Sequence, residues 1–441
     1  MELDERVWSV IYQAIEVTWW WLLPIFLILL TRELWQKYIR NKTVNKIEWI
    51  TLEVKLPREI LKTPKAMEGV WASLYAIYSY GIKFWAKWWE GKIENWISFE
   101  MVGMNGWVHF FIRTPKDYKN LIQSSLFAQF PDTEINEVED YMELLPPSFP
   151  NKTYDLWGTE FKMTKDEAVY PIKTYFNFED SVEERRLDPV ASLTETMSNL
   201  KEGEAVLFQI LISPIGKPTG RDLVAEGKKV VEELLGKKEE KKQSGILAWA
   251  HGIGEFITNL VLAVFKEPEW SGAGEKKDEK KDVDFNKMTE GKKEVIKAVE
   301  KKISQLNFES TIRVIYIDRQ DSFSPLNVAA IMGFFHQFNT QNMNGFKPDI
   351  STMTVYGNLI GKIFPFIKKR KVNFKKWGIY ERYKSRWFGK TNRIGEEKDL
   401  PVLSAEELAT IYHYPIISVE SPNLERLSSK KGEPPVGLPT T

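Results

Sequence analysis

Apolar positions fall along this chain in two contrasting patterns. Between Val7 and Leu30 they run nearly unbroken (VWSVIYQAIEVTWWWLLPIFLILL), diluted by Ser9, Gln13, Glu16 and Thr18. At a helical rise of about 1.5 Å per residue, that stretch is long enough for a hydrocarbon core of ~30 Å. It predicts a transmembrane helix over about 7–30, with a hydrophobic core helix as the competing reading. Acidic Glu2, Asp4 and Glu5 precede the run, and polar Thr31-Arg32-Glu33 follows it, which does not fit a cleaved signal peptide. Arg32, Lys37, Arg40, Lys42 and Lys46 lie beyond it. The basic flank predicts a single-pass protein of the cell membrane, N-terminus outside and body cytoplasmic.

From Ile47 the period changes to two. Ile50, Leu52, Val54 and Leu56 share one face of a strand, and Thr63-Pro64 opens a helix reaching to about Glu90. Segments 96–102 and 107–113 alternate again around Asn105-Gly106, a pair suited to a tight hairpin turn. A second helix opens at Thr114-Pro115-Lys116, and Glu134 to Tyr141 completes a βαββαβ order. Pro146-Pro147 and Pro150 mark a linker. Beyond it the theme repeats: an extended stretch 161–178, a helix after Asp188-Pro189, and an apolar strand 205–213. A helix 221–235, a helix 287–306, a strand 311–318 and a helix after Ser324-Pro325 follow. The expected fold class is α+β, with two ferredoxin-like α/β sandwich units behind the N-terminal helix. The domains read as 1–46 (anchor and basic connector), 47–145, 154–355 with an insertion at 236–286, and 356–441 (basic aromatic segment and C-terminal extension). Inside the insertion, residues 245–265 read as an apolar helix between charged flanks, fit for lipid, a partner groove or its own domain.

Composition narrows the chemistry. Lys plus Arg total 61, as do Asp plus Glu, so no overall charge argues for nucleic acid. With no cysteine there are no disulfides, thiolate metal sites or cysteine nucleophiles. The four histidines, His109, His251, His336 and His413, share no helix face. The one GK[ST] tripeptide, Gly389-Lys390-Thr391, has Lys384 where a phosphate loop needs glycine. The expectation is a protein without catalytic residues, cofactor or metal.

Two features suit binding. Trp71, Tyr75, Tyr78, Trp85 and Trp89 form a stripe along the helix expected over 63–90, facing either the core or lipid headgroups. The run 364–390 interleaves Lys368, Lys369, Arg370, Lys371, Lys375, Lys376, Arg382 and Arg386 with Trp377, Tyr380, Tyr383 and Trp387. Such a run could stack single-stranded bases, grip anionic lipid, dock an acidic partner, or serve as a solvated linker.

The string LSAEELATIYHYP (403–415) resembles the segment before the motor domain of TraG- and HerA-like type IV secretion coupling ATPases. The stretch 107–141 resembles their membrane-proximal accessory region, a domain of unknown function. The resemblance implies a conjugation-related accessory protein, a membrane scaffold that positions a separately encoded P-loop ATPase. A membrane-tethered nucleic-acid-binding protein using 364–390 is the alternative. The oligomeric state is not legible.

Overall fold

The computed structural model describes residues 2–57, 62–78, 82–83, 85–178, 188–216, 222–235, 288–355, 365–389 and 400–415. It is a mixed α+β protein. In chain order its elements are α1 (Glu2–Val44), β1 (Trp49–Lys55), α2 (Pro64–Leu74), β2 (Ile97–Met104), β3 (Trp107–Pro115), α3 (Lys119–Gln129) and β4 (Glu134–Val138). Then come β5 (Tyr154–Met163), α4 (Ala191–Ser198), β6 (Ala205–Pro214), α5 (Leu223–Leu234), α6 (Glu290–Ser304) and β7 (Asn307–Arg319). The last are α7 (Pro325–His336), β8 (Phe346–Pro348), α8 (Pro365–Lys384), β9 (Val402–Ser404) and α9 (Ala405–Ile411).

The sequence leads one to expect two separate sandwiches. The structure instead runs one nine-stranded sheet through both halves, in the order β4-β1-β3-β2-β6-β7-β5-β8, with β9 added against β7. The described pairings are antiparallel, and the halves meet along β2 and β6, where Glu100 lies opposite Gln209. The join has a physical cause. Both strands are buried on both faces, so each needs a neighbour on its open edge as well as cover above and below. The Asn105-Gly106 turn takes the positive φ angles expected of it, 51° and 81°.

One face of the sheet packs Phe99, Phe110, Phe208, Ile210 and Val314 against α2, α3, α4, α7 and α9. The other packs Val102, Leu156, Leu207 and Ile315 against Ile379, Tyr380 and Tyr383 of α8. Residues Val224–Lys301 form a second compact unit that holds most of α5 and α6. In it, Lys293 pairs with Glu290 across one turn at 2.8 Å. The expected helix at 245–265 and its charged flanks lie outside the described residues.

Three further expectations change. The helix opening at Thr63-Pro64 ends at Leu74 and a short turn Tyr75–Ile77; Tyr78 is already extended, with ψ 124°. Gly81, a poor helix former, follows three residues later in sequence. At the N-terminus a single helix carries the apolar run, with Pro24 inside it. Among the described residues no helix is long and apolar enough to cross a membrane, so the expected span is unsupported. Polar Ser9, Gln13, Glu16 and Thr18 dilute its first half, leaving the dense block at 22–30. Finally, the string 403–415, read as part of a C-terminal extension, is built into the sheet and core. Its strand pairs with β7, its helix lies in the core, and Tyr412 and Tyr414 join Phe99, Phe110 and Phe130 in an aromatic cluster.

Candidate functional site

A row of polar side chains crosses the middle of the sheet on the face that α8 covers. Glu100 on β2 sits opposite Gln209 on β6, Gln209 opposite Arg313 on β7, and Arg313 opposite Glu160 on β5. All four are buried, Glu100 and Gln209 in largely apolar strands. Isolated charges in such a place are costly unless paired, and here each is. Gln209 Nε2 donates to Glu100 Oε1 at 2.8 Å, Arg313 Nη1 donates to Gln209 Oε1 at 3.1 Å, and Arg313 Nε donates to Glu160 Oε1 at 2.8 Å.

The C-terminal end of α8 closes over this row. Arg386 donates from Nε and Nη2 to the two oxygens of Glu100, at 3.1 and 3.2 Å. Its Nη1 and Nη2 also grip both oxygens of Asp140, at 2.6 and 2.7 Å, a fork that matches guanidinium geometry. Glu100 accepts further bonds from Ser98 and Tyr141, each at 2.6 Å, and the Tyr141 and Tyr383 hydroxyls meet at 2.9 Å. Arg313 caps the helix end by donating to the carbonyls of Arg382 and Trp387, a cation placed where the helix dipole is negative. Arg386 itself holds a φ of 48°, and its carbonyl accepts from the Trp96 indole at 3.1 Å. Non-glycine residues adopt that conformation only when their surroundings compel it.

Burial pushes the Glu100 and Asp140 carboxyls up. The Arg386 charge and hydrogen bonds outweigh this and hold both below their ordinary values. Burial raises the Tyr141 and Tyr383 hydroxyls well above theirs, and pushes Tyr380 up to about 12. Glu100 accepts from five donor groups, so its lone pairs are spent inside the protein. This is a latch that fastens the end of α8 to the sheet. Among the described residues no group of histidine and acidic side chains is arranged to hold a metal ion.

The latch redistributes the residues predicted from sequence. In α8, Tyr380, Tyr383 and Arg386 are buried, and Tyr380 donates to the Pro146 carbonyl at 2.7 Å. Lys375 donates to the carbonyls of Ile350 and Met353, Lys376 pairs with Asp155, and Arg382 lies 3.3 Å from Glu160. Each of these has a partner within the protein. Lys368, Lys369, Arg370, Lys371, Trp377 and Trp387 are exposed. The aromatic stripe divides too. Trp71 is buried edge-on against Phe99 at 4.3 Å, Tyr78 is buried, and Tyr75 donates its hydroxyl to the Ile215 carbonyl at 2.6 Å. Trp85 and Trp89 are exposed and stacked on a separate turn. Sequence reading missed Glu100, Asp140, Glu160, Gln209 and Arg313. A signal existed for three of them: a lone polar residue inside ISFEMV, AVLFQILI and TIRVIYI demands a buried partner.

A second junction joins α1 to that separate turn, Ala86–Glu90. Trp35 donates its indole N–H to the Trp88 carbonyl at 3.1 Å, Thr43 donates to the Glu90 carbonyl, and the Arg32 guanidinium lies 4.7 Å above the Trp88 ring. Gly91 makes the approach possible. Its φ is 66°, and a Cβ there would stand 2.5 Å from the Ile39 carbonyl carbon. Gly91→Ala is therefore expected to undock the base of α1. Hydrogen exchange should speed up at Ile39–Val44 while amides of β2 and β6 keep their protection; unchanged exchange at Ile39–Val44 would refute this account of the junction.

No curated protein matches the chain. Residues 37–426 match a family described as a domain of unknown function, DUF8128, and that match carries no link to TraG- or HerA-like coupling ATPases. It takes in both halves of the sheet, the α8 latch and the β9–α9 segment alike, and so the chain belongs to the DUF8128 family.

Proposed function

We propose that this chain is a non-catalytic scaffold at the cytoplasmic face of the cell membrane, held there by α1 and presenting its body to a protein partner. The observation that carries the reading is the block Leu23–Leu30, whose side chains are all exposed. An exposed apolar run of that density on one helix is a mark of lipid or partner contact. Exposed Trp35, Tyr38, Trp85 and Trp89 stand at its base, the side-chain types that favour the zone between hydrocarbon and water. Basic Arg32, Lys37, Arg40, Lys42 and Lys46 flank the same end. The stronger form is a single span with the N-terminus outside, which external protease acting before Leu23 would reveal. In the same reading, the two βαββαβ halves are ferredoxin-like units fused edge to edge, with strand orders β4-β1-β3-β2 and β6-β7-β5-β8. A separately encoded P-loop ATPase is the proposed partner.

Flotation with neutral phosphatidylcholine vesicles tests the lipid contact. The full chain should float, and Phe26→Asp with Ile28→Asp should leave it in the dense fraction with its circular dichroism intact. A wild-type chain that stays dense, monodisperse and free of detergent would overturn the reading. Affinity purification from solubilised membranes tests the partner. Repeated recovery without any P-loop ATPase would count against that part alone.

A further inference from the structure

The first half of α8 is used by neither the latch nor the α1 junction. Its inward positions, Ile379, Tyr380 and Tyr383, are buried, so its opposite face looks outward. Phe366, Arg370, Phe374 and Trp377 follow one another at steps of four, four and three residues, which places them together on that outward face. All four are exposed, Phe366 by 76%, and Phe374 and Trp377 lie 5.8 Å apart. Lys368, Lys369 and Lys371 are exposed on the other sides of the same first turns. The helix thus shows a basic and aromatic surface to solvent while its other side is anchored to the sheet.

We propose that this face is a docking surface for anionic phospholipid headgroups. Arg370 and the neighbouring lysines supply charge complementarity to a negative leaflet, and Phe366, Phe374 and Trp377 supply rings that settle among the headgroups. The shape favours lipid over single-stranded nucleic acid. A strand is held in a groove that tracks its backbone, whereas this surface is the convex side of a helix. The residues that would have continued it into a longer strand-binding path, Tyr380, Tyr383 and Arg386, are buried in the latch. The inference extends the membrane reading above and adds lipid-charge selectivity to it, on residues independent of α1.

The test compares the full chain with a Lys368→Gln/Lys369→Gln/Arg370→Gln variant on two kinds of vesicle. One is phosphatidylcholine alone; the other contains about one third phosphatidylglycerol. The wild type should bind the anionic vesicles more tightly, and the excess should shrink as salt shortens the Debye length. The variant should lose on the order of a hundredfold of that excess, since each of the three basic groups near such a surface contributes about a fivefold factor. Its binding to neutral vesicles, which reports α1, should not change. Equal binding of variant and wild type to anionic vesicles would overturn the proposal and leave the α1 reading standing. Anionic binding that depends on the three residues, with no neutral binding, would support it and refute the α1 contact. A labelled oligothymidylate that binds through these residues and displaces anionic vesicles would overturn it in favour of nucleic acid.

Discussion

Arg386→Met is expected to destabilise the protein by about 3–5 kcal/mol, the usual cost of removing one partner from a buried ion pair. Methionine fills much of the same length but leaves Glu100 fully buried with its cation gone, and Asp140 without the guanidinium fork. Arg386→Lys should fall between the two. It keeps a charge but cannot span both carboxylates as a planar fork can. The denaturant midpoint read at an unchanged slope is the measurement. A loss below about 1 kcal/mol would mean that the row holds together without its cap. The same latch fixes an acid sensitivity. Glu100 and Asp140 titrate lower in the fold than in the unfolded chain. Their contribution is therefore complete above the unfolded carboxylate values near ~4, and is lost as pH falls through the lower folded values. Wild type should lose stability there more steeply than Arg386→Met, because the variant has less of this contribution to lose.

The parts of the fold that depend on local patterning were legible in the sequence. Ile50, Leu52, Val54 and Leu56 alternate, Asn105-Gly106 turns, and Ser324-Pro325 starts α7, since each feature acts within a few residues. The union of the two halves was not legible. The pairing of β2 with β6 joins residues more than a hundred positions apart, and nothing in either strand names the other. The basic aromatic run showed the same limit. Its helix is real, but which residues face inward is decided by Glu100 and Asp140, 286 and 246 positions away. Composition showed a positive surface; the fold uses part of that charge as internal fastening. The resemblance of 403–415 to a motor-adjacent segment carried no secondary structure with it, and the strand and short core helix there went unread. The capping pair Ser404 and Glu407 was there to be read as a helix start.

That capping pair carries the second large effect. The Ser404 side chain accepts from the Glu407 amide, and Glu407 Oε2 accepts from the Ser404 amide at 2.8 Å. Glu407 does two further things at once. Its Oε1 accepts from the Ile172 amide at 2.8 Å, and its carboxylate lies 3.0 Å from the Lys302 ammonium, with both side chains 1% exposed. One carboxylate thus caps α9, ties the segment after β5, and neutralises a buried lysine. Glu407→Ala should destabilise by about 3–5 kcal/mol, because buried Lys302 would lose this carboxylate, the carbonyls of Tyr170 and Val402 being neutral acceptors. Glu407→Gln should cost less, since its one amide oxygen can still accept from either Ser404 or Ile172, although its NH2 then faces the other donor. Glu407→Ala combined with Lys302→Met should recover part of the loss, because it removes the stranded charge while keeping the apolar stem. A double-mutant cycle read from denaturant midpoints separates these contributions. Strict additivity of the two substitutions would mean that the pair is not coupled. The β9–α9 segment would then be held by its pairing with β7 and by the packing of Leu408, Ile411 and Tyr412.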